Sequence, residues 1–403
     1  CCLCAPALIQ SQRPQTFKLQ ECDTMTKPRI CLNMIVKDEA HVIERCLASV
    51  IPHITSWCIS DTGSSDNTIE VIENVMAKAG LPGKVVQHKW FDFGSNRTLA
   101  LRDAERVAQD TECDYYLFLD ADEQLVGSGD VALSNLTHDL YQVTTEYGSI
   151  EYARTLLAST TRCWKWVGVL HEYLAPEAGA MPTKAKMLDP SLRLKVNSDG
   201  ARSQDPEKYV KDIHVLSQEL ERDPHNPRTV FYLAQCNRDA GNAEIALVLY
   251  RRRSKMGGWE QEVWYSLLQC GLLNFRLGNV DSGILDLEAA ARAIPTRLEP
   301  VMALVSYYRA TSQWKNARFW ASAAYASVQS GAVDSSGLFY SVEDNTWRPA
   351  DEYSLALYYT GNKELGGQIL TELLKDSRTK YRILDEAHSR LVDNSHHFSL
   401  DSQ

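Results

Sequence analysis

The chain has 403 residues, 44% of them hydrophobic and 23% charged, and 42 Lys and Arg against 52 Asp and Glu give a formal net charge of −10. That length predicts two domains with ordinary apolar cores and excludes a largely disordered chain. The acidic balance argues against broad binding to duplex nucleic acid, where a basic face is expected, and no apolar run approaches the ~20 residues of a membrane-spanning helix.

In chain order, residues 1–27 are expected to be a tail outside the fold. It opens on Cys1-Cys2-Leu3-Cys4, holds no apolar stretch of signal-peptide length, and gives way at Met25 to MTKPRICLNMIV. A disordered tail, a leader and a vector remnant all fit residues 1–24. The functional alternative is a lipidated or metal-binding Cys cluster. The apolar run Ile30 to Val36 predicts a first strand, followed by a helix with Val42, Ile43, Cys46, Leu47 and Val50 at helical spacing. Ser56 to Ser60 predicts a second strand. It runs into the Gly- and Ser-rich loop Asp61 to Thr68, where Ser65 or Asp66 can cap a helix carrying Ile69, Ile72, Val75 and Met76. Val85 to His88 reads as a further strand. Phe93-Gly94-Ser95 reads as a loop, with Asn96-Arg97 opening a helix through Leu99, Ala100, Ala104 and Val107. Tyr115 to Leu119 is a buried strand ending in Asp120-Ala121-Asp122. Downstream, Trp164 to Leu174 is strand-like and ends on His171-Glu172.

Strands alternating with helices, each strand ending in polar residues, predict an α/β domain with a mostly parallel sheet. Ligands of such sheets bind outside the carboxyl ends of the strands, so the acidic loops gather on one edge. Two carboxylates two residues apart at such an edge can hold a hard divalent cation against a diphosphate.

The segments CLNMIVKDEAHVIERCLASV, ISDTGSSDNT and LFLDADE resemble the three opening motifs of family 2 glycosyltransferases of the GT-A fold, over about residues 28–180. The resemblance implies Val36, Lys37 and Glu39 near a nucleoside, Asp61 on its base, Asp120 at the diphosphate, and Asp122 on Mn²⁺ or Mg²⁺. A nucleotide-sugar donor follows, with a UDP-sugar favoured, and inversion at the anomeric carbon. The stretch Trp90 to Arg97 is similar to an element that lines the donor site in relatives, although Asn96-Arg97 reverses the order seen there. Arg97 faces the diphosphate or pairs on a helix face; both readings stay open. Trp166 and Gly168 allow close approach of a sugar ring. In a repeat-bearing branch of the family a W-V-G-x-x-H-E element closes the site. This implies His171 on metal or diphosphate and Glu172 as the base that takes the acceptor proton. The structural alternatives are an interfacial histidine and a salt-bridge partner of Arg154 or Arg162.

The polar stretch Asn197 to Pro206 reads as a boundary loop, giving domains over 28–200 and 201–403. Beyond it the strands vanish. Asp239-Ala240-Gly241-Asn242, Arg276-Leu277-Gly278-Asn279, Ser312-Gln313-Trp314-Lys315 and Tyr359-Thr360-Gly361-Asn362 mark turns of helix pairs repeating in the mid-thirties. Such pairs resemble tetratricopeptide repeats stacked in one solenoid. Ser330 to Trp347 interrupts the array and is a candidate to fold back on the first domain. Arg251-Arg252-Arg253-Ser254-Lys255 reads as a solvated helix end or as a seat for an anionic acceptor.

The fold class is therefore an α/β GT-A domain followed by an all-α TPR-like solenoid. The expected activity is metal-dependent sugar transfer to an acceptor left open among peptide or protein, glycan and modified nucleotide. The repeats aid acceptor binding or self-association as a homodimer. A catalytically silent scaffold and a nucleotidyltransferase are the alternatives. Seven of the 11 Cys follow residue 24 without paired spacing, which predicts buried free thiols in a reducing, cytoplasmic setting. The sequons at Asn96 and Asn135 are read as coincidence.

Overall fold

A computed structural model describes residues 27–398 except 149, 180–184, 335–336, 378–382 and 384. The expectations for residues 1–26 lie outside the described residues. The first half alternates β1 (Ile30–Val36), α1 (Ile43–Val50), β2 (Ser56–Asp61), α2 (Thr68–Ala79), β3 (Gly83–Gln87), α3 (Phe93–Asp110) and β4 (Tyr115–Phe118). It continues with β5 (Glu123–Gly127), α4 (Gly129–Ala132), β6 (Leu140–Tyr147), β7 (Ile150–Ser159), β8 (Trp164–Val167), β9 (Tyr173–Pro176), β10 (Lys186–Met187) and β11 (Leu192–Val196).

β1 is an unbroken apolar run because both its faces are covered. Ile30, Leu32, Met34 and Val36 pack with α1 and α2, while Cys31 on the other face packs with Leu101 and Ala104 of α3. The main sheet runs β3-β2-β1-β4-β7-β6-β11-β5. β3, β2, β1 and β4 are parallel, whereas β7 opposes β4, β6 opposes β7, and β5 opposes β11. The expected mostly parallel sheet is thus only its first half. The second half is mixed and went unread in the sequence. The chain builds outward from β1 to β3, then crosses to the opposite side of β1 for β4. The topological switch, where such sheets bind ligands, lies between β1 and β4.

α3 starts at Phe93, earlier than the sequence reading, because Asp92 caps it by accepting the Ser95 amide at 2.8 Å. The apolar segment 164–174 is not one strand. It is the hairpin β8–β9, turned at Gly168 (φ 108°) and His171 (φ 53°). Three residues spaced four apart on α3 anchor it. A Cβ on Gly94 would lie 2.3 Å from the Gly168 carbonyl, Thr98 Oγ1 accepts the Trp166 amide at 3.0 Å, and Arg102 donates to the Trp164 carbonyl at 2.8 Å.

The second half is helical: α5 (Lys208–Arg222), α6 (Pro227–Asp239), α7 (Ala243–Arg253), α8 (Glu260–Arg276), α9 (Val280–Ala293), α10 (Glu299–Ala310), α11 (Trp314–Gln329), α12 (Arg348–Tyr359), α13 (Lys363–Asp376) and α14 (Asp385–His396). The turns of the four pairs α6/α7, α8/α9, α10/α11 and α12/α13 each place one residue in the left-handed region: Gly241, Gly278, Ser312 and Gly361. At the α8/α9 crossing, a Cβ on Gly271 would meet Leu287 at 2.5 Å and one on Gly283 would meet Phe275 at 2.4 Å, so only glycine allows this approach. This half is a TPR-like solenoid. Strands do not vanish from it entirely. β12 (Tyr340–Ser341), in the segment that interrupts the array, pairs antiparallel with β7 of the first sheet. Buried Arg297 anchors it, donating to Glu299 Oε1 at 2.7 Å and to the Leu338 carbonyl at 3.1 Å, while the Ser341 amide donates to the same carboxylate oxygen at 3.0 Å.

The basic run ending α7 is not a free anion seat. Arg251 pairs with Asp286 at 2.8 Å, Arg252 donates to the Pro224 carbonyl, and fully buried Arg253 pairs with Glu262 at 2.9 Å. Among the described cysteines, all seven are free and only Cys163 is exposed. Asn96 is buried, its side chain bonded to the Phe91 amide and Lys89 carbonyl, so that sequon cannot carry a glycan in the folded chain.

Candidate active site

The loops after β1 and β2 lock each other by hydrogen bonds. Asp38, held at φ 56°, accepts the Ser65 amide at 2.6 Å, and Ser64 Oγ accepts the Asp38 amide at 2.9 Å. Thr68 Oγ1 accepts the Glu39 amide at 2.8 Å, and Asp66 accepts the Thr68 amide at 3.0 Å; the residue that caps α2 is Asn67, not the expected Ser65 or Asp66, and its side chain makes no capping bond. Asp61 is buried. Its carboxylate accepts the amides of Gly63 at 3.0 Å and Ser64 at 3.1 Å, so in this structure it shapes its own turn. Val36 is buried at the strand end beside it, its carbonyl accepting the Thr62 amide at 2.9 Å, and Lys37 is exposed.

In parallel register Val36 lies opposite Asp61, and Asn33 lies opposite both Cys58 and Phe118. Asp61 and Asp120 therefore stand on the same edge of the sheet, on the two strands flanking β1, about 10 Å apart by strand spacing.

Arg97 ties this edge together. Its guanidinium donates to Asp120 Oδ1 and, from Nε, to Glu172 Oε1, each at 2.5 Å, and lies over the Trp166 ring at 5.4 Å. Arg154 of β7 reaches Asp120 at 3.6 Å and pairs closely with buried Glu123. Burial alone would raise the Asp120 carboxyl, but the two guanidiniums outweigh it and hold it well below the usual carboxylate range. Asp120 still leaves 36% of its side chain accessible, so a ligand can reach it. Asp122 has no ion-pair partner among the described residues; burial and then the neighbouring Asp120 charge push its carboxyl up. Glu39 is likewise unpaired. Burial first, with Asp122 and Asp120 adding to it, pushes it up to about 7 against the hydrogen bond from the Ala201 amide and the charge of His41. Trp166 Nε1 is buried without an acceptor.

The segment joining the domains closes over these carboxylates. Asp199 forms a two-pronged pair with Arg45 at 2.6 and 2.7 Å, and its carbonyl bonds His41 at 2.8 Å. The Ala201 amide donates to Glu39 at 3.2 Å, the Asn197 amide to the Asp122 carbonyl at 3.0 Å, and Ser203 Oγ reaches Asp122 at 3.5 Å. A Cβ on Gly200 would meet the Asp122 carboxylate at 3.2 Å.

His171 sits at the hairpin turn against the solenoid. Its ring stacks on Tyr232 of α6 at 3.9 Å, and its carbonyl accepts two bonds from Arg228, at 2.7 and 3.1 Å. Burial, followed by the charges of Arg202, Arg228 and Lys208, pushes its imidazolium down to about 3, so the ring is neutral at pH 7. Among the described residues no three His, Cys, Asp or Glu side chains converge as a metal site. Three cations, Arg202, Arg228 and Lys208, lie around His171.

Sequence reasoning missed Glu123, Arg45 and Asp199, and named Arg154 only as a possible partner of Glu172, which pairs with Arg97 instead, while Arg154 pairs with Glu123. Their ion pairs span 31 to 154 positions of chain and leave no local spacing signal.

Residues 31–127 match the profile of glycosyl transferase family 2. That match makes the N-terminal domain glycosyltransferase-like. A TPR repeat-containing protein of Synechococcus elongatus is 36% identical over 99 residues; the match covers 24% of this chain but only 21% of that protein's length. Among solved structures, MamA from Desulfovibrio magneticus is similar at 10% identity, covering 43% of this chain and 88% of its own, with a TM-score of 0.33. A tetratricopeptide repeat protein from Parabacteroides merdae is similar at 14% identity, covering 47% and 68%, with a TM-score of 0.35. No helix among the described residues is long and apolar enough to cross a membrane.

Proposed function

We propose that this domain moves a sugar from a nucleotide-sugar donor, UDP-linked by preference, to an acceptor that approaches from the hairpin and solenoid side. The observation that supports this most is the meeting, at one switch point, of a locked β1/β2 loop pair, an unpaired Asp122 and the Asp120–Arg97–Glu172 relay. The nucleoside would rest on the loops holding Val36, Lys37 and Glu39, with Asp61 shaping the floor, and the diphosphate would face Asp120.

Asp122 fits a divalent cation. It is a half-buried carboxylate beside a second one, raised for want of a positive partner, and Mg²⁺ or Mn²⁺ commonly binds through one or two carboxylates plus substrate phosphates. When bound, the ion would neutralise charge building on the departing diphosphate. Arg97 serves the same end from the opposite side, and its planar fork suits phosphate oxygens. As a ligand phosphate takes hold of Arg97, Glu172 is released from its partner and becomes available to accept the acceptor proton. Trp166 would orient the sugar.

The test is release of nucleoside diphosphate from a panel of nucleotide sugars with Mn²⁺. Turnover that disappears in Asp122→Ala supports the reading. Pyrophosphate released from a nucleoside triphosphate would favour a nucleotidyltransferase.

A further inference from the structure

The cleft's carboxylates are mostly neutralised internally, but its solenoid rim is not. Asp120, Glu123, Glu172 and Asp199 each face an arginine. On the rim the balance reverses. Arg202 lies over the Phe93 ring at 4.3 Å and pairs through one nitrogen with Asp212 at 2.6 Å. Lys208, one turn before Asp212 on the same face of α5, has no carboxylate partner among the described residues; its ammonium lies 5.6 Å from the Tyr209 ring. Arg228 holds the His171 carbonyl and lies 4.9 Å over Tyr232, the ring on which His171 stacks, and its one carboxylate partner among the described residues, Glu262, is shared with Arg253. The Phe93 amide bonds the Val169 carbonyl at 3.2 Å, which places Arg202 beside the same hairpin turn.

We propose that Arg202, Lys208 and Arg228, all contributed from beyond residue 200, form with His171 a binding site for an anionic group, a phosphate or carboxylate, at the acceptor side of the cleft. An excess of positive charge in a chain of net charge −10, collected beside a neutral imidazole that can donate one N–H, suits such an oxygen-rich anion. Burial first and then those same charges keep His171 neutral, and an anion arriving among them would offset the part due to the charges. The anion has two possible sources: a group on the acceptor, or the donor's own diphosphate. The assignment of the cleft side to acceptor rests on the glycosyltransferase reading. The anion site itself does not.

The full chain, with its histidine rings isotope-labelled and His171 assigned by His171→Gln, is titrated with inorganic phosphate while ring resonances are followed. A saturable shift of the His171 signal is expected. Lys208→Gln, a partly exposed substitution that leaves the fold intact, should weaken it about fivefold, the scale of losing one solvent-facing charged hydrogen bond. Lys211→Gln, three residues on and already paired with Asp205, should leave it unchanged. No shift at His171, or equal affinity in all three proteins, overturns the proposal. Repeating the titration with UDP present separates the sources. Mutual exclusion assigns the site to the leaving diphosphate; simultaneous binding assigns it to an anionic acceptor. Phosphate binding without any UDP binding would leave the anion site standing and remove the glycosyltransferase reading instead.

Discussion

Arginine is used differently in the two halves of the molecule. In the solenoid, Arg253 and Arg297 are fully buried and their nitrogens end on fixed partners: Glu262 and the Gly257 carbonyl for one, Glu299, Gln261 and two strap carbonyls for the other. In the N-terminal domain Arg97 and Arg154 hold carboxylates at strand ends, at an edge where Asp120 remains partly open. Both sets remove the cost of buried charge. Only the second does so where an incoming phosphate can take a carboxylate's place. The same residue type is mortar in one half and a replaceable counter-ion in the other.

The sharpest break of this comparison is Arg297→Ala. It strands Glu299 in the interior and frees the strap that carries β12 to β7, so denaturant melts should show a loss of about 3–5 kcal/mol with nucleotide affinity of the folded fraction unchanged. Arg97→Ala should lose less stability, about 2–3 kcal/mol, because Arg154 still faces Asp120, but turnover should fall with it. If Arg97→Ala leaves turnover intact, the two arginine sets are of one kind.

Glu39→Gln gives a pH-dependent contrast. The Glu39 carboxyl is raised in the folded state, so folding loses stability as pH climbs from the unfolded value near 4.5 through about 7. Glu39→Gln should therefore be the more stable protein at pH 8 in chelator, by about 1–2 kcal/mol once partial exposure is allowed for, and the gain should shrink to nothing near pH 4.5. The smallest effect is in the solenoid. Ser312 occupies with φ 57° the turn position that is glycine in the other three pairs, so Ser312→Gly should raise stability by about 0.5 kcal/mol, measured as a higher melting temperature.

The parts legible in the sequence were those with local signals. Apolar runs ending in polar loops gave β1, β2 and β4, and the repeated Gly turns gave the solenoid. The Asp120 and Asp122 pair stood out because it follows a buried strand. What escaped depends on distant partners. The 164–174 segment read as one strand because nothing local announces that His171 would adopt a left-handed conformation. Arg97 remained ambiguous until the hairpin brought Glu172 to it. Arg154 sits in a strand whose neighbours are set by the mixed half of the sheet. The two-residue β12 is too short for any periodicity and exists because Arg297 and Glu299 hold its backbone.

The central claim is that Asp122 and Asp120 form the diphosphate end of a nucleotide-sugar site. Calorimetric titration of UDP into the full chain with Mn²⁺ tests it most directly. The account predicts saturable binding that is weakened at least about tenfold by removing Mn²⁺ or by Asp122→Asn, one charge-assisted interaction's worth. Equal UDP affinity in the wild-type chain and Asp122→Asn, with and without the ion, would contradict it.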